Sequence, residues 1–457
     1  MNFLSRKDTI DMGAGKVSST LFRLAVPSMI SLFFQNLYSL VDTVFVSWVG
    51  TEALAALSIS VPVFYLALAL AKGVGIGTTT LMSHARGRGE TDRADSLARY
   101  SLTLMFFILS PMLIFALPGP SRMIFGLLGA KGGVRVEVYH YALWMALSFP
   151  VMGYVTLCES VFMSHGDSLT PMKGMLLGNI VNLIMDPVLI FGAGLGVGGA
   201  SMASLMGWIC SGLYLRKRLL RMGFTGPSAA LTPAMLPYWR AVWEIGYMIA
   251  LSMVIIPFSF GTLNWLLARI GAAPLGAWNL MSRVEMMIAL PLMGVGNALV
   301  PFIGYNLGRK ACDRIRGGVW FSLVIGISIM AFFSVLFIIF SKQVMEMFHP
   351  GPEVLQWGAY ALRVSATAYV LFPVELTLIG LSQGLKKPAY SLLSMAFRQL
   401  GLRIPLAVLL SHTWGAKGIY WSHPASMALT GLLCILLILN LLKKTKISMA
   451  GAGGADY

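Results

Sequence analysis

The sequence predicts an all-α membrane protein with twelve transmembrane helices in two pseudo-symmetric six-helix lobes. Three observations carry that expectation: the composition, the alternation of basic loops, and an internal repeat. Of the 457 residues, 57% are hydrophobic and only 11% charged, and the mean hydropathy is +0.76. A soluble domain carries about 25% charged residues, so this chain has too little charge to cover a globular surface. About twenty apolar residues cross a bilayer, so the chain has the length for about a dozen spans on short connections and no room for a large soluble domain.

Taken in chain order, span 1 lies near residues 21 to 47 and span 2 near 53 to 82; only the break at Gly50, Thr51 and Glu52 keeps them from merging. The basic stretch from Arg86 to Arg99 sets off span 3 at 98 to 118, and Arg122, Lys131 and Arg135 precede span 4 at 138 to 163. Span 5 covers 172 to 192 with Lys173 at its start, and span 6 covers 198 to 217, closing on Arg216, Lys217, Arg218 and Arg221. Spans 7 (241 to 267) and 8 (274 to 304) flank Arg269, and the Arg309 to Arg316 stretch leads into span 9 (318 to 340). Lys342 separates span 9 from span 10 (355 to 383), Lys386 and Lys387 precede span 11 (389 to 411), and Lys417 opens span 12 (417 to 441). The implied organisation is an N-terminal lobe over 1–220, a cytoplasmic linker over 221–240, a C-terminal lobe over 241–442 and a cytoplasmic tail over 443–457.

With the N-terminus inside, 23 of the 34 Lys and Arg fall on the tails and loops of that side, among them Arg6 and Lys7, six fall on the opposite side, and five fall within spans. Cytoplasmic loops are rich in Lys and Arg, so the bias puts both termini in the cytoplasm of a multi-pass protein of the plasma (inner) membrane. Charges that merely solvated the loops would show no preferred side. The same bias accounts for the net charge of +16 and the pI near 9.8 without nucleic acid as a partner. Cys158, Cys210, Cys312 and Cys434 are scattered one to a segment, which is neither a disulfide framework nor a metal set. A charged N-terminus followed by a long apolar stretch without an early cleavage site points to no removed signal peptide.

Shifting the sequence by 221 residues without a gap lays Gly50 on Gly271, Leu54 on Leu275, Ala56 on Ala277, Gly73 on Gly294, Gly75 on Gly296 and Gly87 on Gly308. Each half has an even number of spans, so both copies run the same way across the membrane, related by an axis along its normal. An alternating-access carrier uses such a duplication directly, rocking one bundle against the other around a central cavity; a receptor or a membrane enzyme has no need of it. Gly194, Gly196 and Gly199 imitate a dinucleotide fingerprint, but that fingerprint needs a strand in a βαβ unit and an acidic residue about 20 positions on. Here the next carboxylate is Glu244, and a tight extracellular turn is expected instead. Gly73, Gly75 and Gly77 read as close helix packing.

Charges at the bilayer centre cost about 3 kcal/mol or more and are functional by default. Asp42 lies deep in span 1 with Tyr38 four residues before it, and Asp186 lies in span 5 with Asn182 four and Asn179 seven residues before it. Residues four apart share a helix face. Two carboxylates, an amide and a phenol therefore can converge, which is the composition of a proton relay or of a hard-cation site with oxygen ligands. The competing structural reading has each Asp cap a broken helix or pair with an internal base such as Lys72. Glu159, Glu285 and Glu375 read as structural charges paired with Arg283, Arg363, Arg398 or Arg403, or as buried acids that attract a cationic substrate. Glu285, Glu375, Gln35 and Asn179 are accordingly candidate substrate-cavity residues. Flexible Met and aromatic side chains, 29 Met, 25 Phe and 11 Trp, would suit a promiscuous amphiphile cavity, with packing explaining most of them. The six histidines, His84, His140, His165, His349, His412 and His423, fall in loops or near span ends, with no nucleophile-base or metal-ligand pattern, so no enzymatic activity and no cofactor are expected.

At these residues the sequence resembles the multidrug and toxic compound extrusion (MATE) family. The resemblance rests on NLYSLVDTVFVSWVG followed by LAALSISVP, on the glycine-rich end of span 2 with ARGRGETDRA, and on the N-x-x-x-DP-x-x-IFG element followed by GVGGASMAS. It covers nearly the full chain. It implies two six-helix lobes, export of organic cations or amphiphiles in exchange for H⁺ or Na⁺, and no partner beyond a small cationic or amphiphilic substrate and the lipid bilayer, the protein acting as a monomer. It resembles the DinF-like branch and archaeal relatives, whose coupling site lies in the first lobe. Carried over by position, that site comprises Tyr38, Asp42, Asn182, Asp186 and, with Ser in place of the family's threonine, Ser204. If the ion is Na⁺, Asp42, Asn182, Asp186 and Ser204 are its metal ligands. Pro27 lacks a backbone donor and is the expected hinge. Span 7 departs from the NorM-like branch: the repeat partner of Asp42 is Leu263, so coupling is expected in the first lobe only. A flippase for a lipid-linked sugar or polysaccharide is the rival reading, which the intramembrane bases Lys72, Arg283, Arg363, Arg398 and Arg403 keep open.

Overall fold

The computed structural model describes residues 9–224, 226 and 232–451, and every regular element among them is helical. Span 1 is Val17–Val49 and span 2 Thr51–Gly87. They part at Gly50, whose φ of 145° lies in the region that favours glycine. Span 3 is Thr91–Ala116, span 4 Val134–Ser164, span 5 Leu169–Gly192 and span 6 Gly196–Arg221, with a short helix Pro118–Leu127 between spans 3 and 4. In the second half, span 7 is Pro233–Ala268, span 8 Ala272–Gly308, span 9 Cys312–Glu346, span 11 Ala389–Trp414 and span 12 Ala416–Gly451. Span 10 is a pair, Pro352–Ala366 and Tyr369–Gly384, bent by 42°.

Ten of these helices are individually long and apolar enough to cross a membrane, and the bent pair is an eleventh. Span 6 is the twelfth. Its 26 residues give about 39 Å of helix, more than the roughly 30 Å apolar thickness, and its glycines, serines and terminal arginines lower its hydropathy. The duplication extends to the helix lengths: spans 1 and 7 each have a 33-residue α-helix, and spans 2 and 8 each have 37 residues. Spans 5 and 11 both carry a π turn, at Val188–Gly192 and Phe397–Arg403.

Two compact units result. Among the described residues, one comprises 9–12 and Val26–Ala250, the other Gly13–Ala25 and 251–451. The opening turns of spans 1 and 7 are thus exchanged relative to the halves of the sequence. Small residues at close approach account for it. A Cβ on Gly318 would stand 3.5 Å from Leu21, within the second unit; a Cβ on Gly73 would stand 2.5 Å from the Gly246 carbonyl oxygen and one on Gly77 2.7 Å from that of Val242, within the first. Such backbone proximity is what glycines permit between membrane helices. Pro27 follows the exchange point in span 1, where the helix remains continuous and the Ser31 hydroxyl donates to the Pro27 carbonyl at 3.0 Å.

Two sequence expectations change here. The helix of span 7 begins at Leu236, so 236–240 are helical rather than linker, while 225 and 227–231 of the expected linker, Arg6 and Lys7, and 452–457 of the tail lie outside the described residues. Gly194 and Gly196 form the expected turn at φ of 67° and 54°. Gly199 does not belong to it, because it is already helical and a Cβ there would meet the backbone of Leu189 at 2.7 Å. Each unit has its own apolar core, built around Phe149, Phe162 and Met105 in the first and around Trp278 and Tyr420 in the second.

Candidate functional site

The first unit builds its site on the packing of spans 5 and 6. Span 5 carries Gly174-x-x-x-Gly178 and span 6 Gly207-x-x-x-Ser211, a small-residue pairing that lets two helix backbones meet. A Cβ on either Gly178 or Gly207 would come within 2.7 Å of the other's carbonyl oxygen, and one on Gly207 within 3.2 Å of Asn182 Cβ. One turn along each helix, this approach brings the polar side chains together: Asn182 Nδ2 donates to Ser204 Oγ at 3.3 Å. Tyr38 of span 1 reaches the same hydroxyl at 3.4 Å.

Asp42 and Asp186 stand one turn beyond Tyr38 and Asn182 on their own helices, near enough to act on one another electrostatically. Asp186 is fully buried and Asn182 is 2% exposed. Asp42 Oδ1, both carboxylate oxygens of Asp186 and Asn182 Oδ1 are buried without a hydrogen-bond donor. Four acceptors so grouped are completed by protons or by a hard cation, which takes oxygen ligands. Tyr38, Asp42, Asn182, Asp186 and Ser204 are thus brought together. Sequence reading missed Tyr141 of span 4, which lies in the field of Asp42, Tyr38 and Asp186; a tyrosine in an apolar run carries no signal of its own. It also missed the Gly174-x-x-x-Gly178 pattern, which was legible.

A cavity of about 20 Å³ adjoins this group, lined by Gln35, Tyr38, Asn179, Asn182, Ser204 and Trp208 among others. It has room for roughly one water. Gln35 and Asn179 therefore border the same cavity as Tyr38, Asn182 and Ser204, whereas Glu285 and Glu375 belong to the second unit. Lys72 does not pair with either aspartate: its Nζ lies 3.5 Å from Glu159 Oε2, which answers for both residues as a structural pair.

In the second unit Glu375, 3% exposed, lies 2.7 Å from Arg398 Nε. Glu285 accepts from the Tyr369 hydroxyl at 2.8 Å and lies 3.6 Å from His423 Nε2. His423 is thus not an idle span-end histidine; it is buried in span 12 against a carboxylate. Arg363 donates to Ser341 Oγ at 3.1 Å, and Arg283 is exposed.

Two six-helix units, each with a π turn in its fifth helix and the acidic pair confined to the first, are the architecture of a duplicated membrane carrier. The MatE family model matches the chain twice, over 27–188 and 249–409, so the chain belongs to the MatE family, that of the multidrug and toxic compound extrusion transporters. The two matches start 222 and end 221 residues apart, in step with the sequence repeat. It is similar to the FAD transporter of Shewanella oneidensis, 28% identical over 97% of this chain and 99% of that protein. It is also similar to the probable multidrug resistance protein YoeA of Bacillus subtilis, 24% identical over 89% of this chain and 90% of that one. Its fold matches a crystal structure of a mutant of the Vibrio cholerae MATE transporter VcmN, with a TM-score of 0.89 and 23% identity over 94% of this chain and 97% of that one.

Proposed function

We propose that this transporter exports small amphiphilic or cationic compounds across the plasma (inner) membrane in exchange for H⁺ or Na⁺, by alternating access, with both termini cytoplasmic and the monomer as the working unit. The observation that carries this reading is the set of unsatisfied buried oxygens of Asp42, Asp186 and Asn182. Two adjacent buried carboxylates repel, and a proton or cation between them removes the repulsion. Its binding draws span 1, which carries Tyr38 and Asp42, toward Asn182 and Ser204 on spans 5 and 6. Pro27 lets span 1 move, since the carbonyl of Arg23 receives no backbone donor from it.

The neighbouring cavity then closes to about the size described, too small for an amphiphile, and the substrate is displaced outward. Release of the ion inward restores the repulsion and reopens the cavity. A flippase for a lipid-linked sugar is supported less well, because two of the five intramembrane bases, Lys72 and Arg398, are already matched by Glu159 and Glu375. Ethidium efflux in inverted vesicles tests the reading: an imposed Na⁺ or proton gradient is expected to drive it. Failure of both gradients, together with thermal protection of the protein by a lipid-linked sugar, hands the assignment to the flippase.

A further inference from the structure

The second unit holds buried charges that the coupling site does not use. Arg398 and Arg403 both lie on the π turn Phe397–Arg403 of span 11. In a regular α-helix residues five apart point about 140° away from each other, whereas a π turn closes i to i+5 and sets them on one side. Both are buried, at 5% and 7% exposure. Arg398 has its carboxylate, Glu375, at 2.7 Å. Arg403 has none: among the described residues no carboxylate comes within 4.0 Å of it, and its Nε lacks an acceptor. Glu285, the remaining acid of the group, accepts from Tyr369, faces His423 and acts on Arg403 only from beyond ion-pair distance.

Arg403 is nevertheless held in place. Its Nη1 donates to the neutral Gln399 Oε1 at 3.2 Å, the Ser259 hydroxyl fixes that oxygen at 2.9 Å, and the guanidinium lies over Trp278 at 5.1 Å. A guanidinium with no carboxylate in contact is costly at membrane depth, and such groups mark substrate pathways. Its planar fork of N–H donors matches phosphate oxygens. In the first unit the π turn of span 5 follows Asp186 and falls, in the repeat register, on 409–413 rather than on Phe397–Arg403, so the turn that sets Arg398 and Arg403 side by side is particular to the second unit.

Resting on the transport reading above, we propose that Arg403 is the receiving group of an oxyanion subsite in the second lobe, and that the exported amphiphiles include compounds bearing a phosphate ester or anhydride. The probes are riboflavin, FMN and FAD, which share one ring system and differ in phosphate. Purified wild-type protein is expected to bind FMN and FAD about tenfold more tightly than riboflavin, as a charge-assisted contact supplies. The preference should fall to near one in Arg403→Gln and be partly kept in Arg403→Lys, which has the charge without the fork.

A merely structural Arg403 alters all three ligands alike and leaves the preference where it was. That outcome, a wild-type preference near one, or no binding of either phosphate-bearing flavin overturns the proposal. The preference is a ratio, so a poorly folding variant does not imitate the expected result, and the wild-type comparison needs no variant at all. Gradient-driven ethidium efflux by the wild type is read separately. Efflux without a phosphate preference removes the subsite and leaves the transport reading, whereas absence of both removes the transport reading itself.

Discussion

Asp42→Asn and Glu375→Gln make the same chemical change, carboxylate to nearly isosteric amide, in two different surroundings. Asp42 Oδ1 has no donor, so the amide removes a titratable charge without breaking an ion pair. Coupled efflux is expected to be abolished with folding intact. Glu375→Gln instead leaves Arg398 uncompensated at 5% exposure, and breaking a buried pair costs about 3–5 kcal/mol. That variant is expected to lower yield and melting temperature, while the surviving folded molecules keep their dependence on the ion gradient. Efflux per folded molecule, measured beside thermal stability, separates the two. Equal loss of coupling in both variants would sink the assignment of coupling to the first lobe.

Helix packing decides whether the site's residues meet. Asn182 and Ser204 are 22 positions apart, and the 3.3 Å bond between them exists because spans 5 and 6 touch at Gly178 and Gly207. Gly207→Val inserts a side chain where 2.7 Å is available to the Gly178 carbonyl oxygen. Overpacking costs about 1–3 kcal/mol, and separating the helices pulls Ser204 from Asn182. Lower thermal stability and weakened coupling are expected together. Gly261→Ala in span 7 is the control, because nothing lies within 4 Å of a Cβ there, and it should leave both readouts unchanged. Wild-type coupling in Gly207→Val would show that the close approach does not position the site.

Across the whole molecule, the two halves share the lengths of their first two helices but not chemistry. Among the described residues, the buried carboxylates Asp42 and Asp186 of the first unit have no ion-pair partner, whereas in the second unit Glu375 is paired with Arg398 and Arg403 has no carboxylate in contact. Orientation is the property on which every vectorial statement depends. In a background lacking the four native cysteines, Lys131→Cys should react with an impermeant thiol reagent applied to intact cells, and Lys443→Cys only after permeabilisation. The reverse pattern would invert the topology and with it the direction assigned to coupling and export.

Composition, the 221-residue repeat and the side bias of Lys and Arg determined the membrane class, the number of spans and the duplication, because each depends only on chain-local quantities: hydropathy over about twenty residues, parity of the spans and charge in short loops. The face shared by Asn182 and Asp186, and by Tyr38 and Asp42, was equally local, following from four-residue spacing on a helix. Which faces meet is a property of packing. Only the tertiary structure paired Lys72 with Glu159, brought Tyr141 into the field of the aspartates and buried His423 against Glu285. The exchange of the opening turns of spans 1 and 7 between the units was likewise invisible in the sequence, since glycine contacts between distant helices leave no mark on hydropathy. The π turn of span 11 shows the limit most sharply: an α-helical reading sets Arg398 and Arg403 on different faces, and one added residue per turn brings both guanidinium groups to the same side.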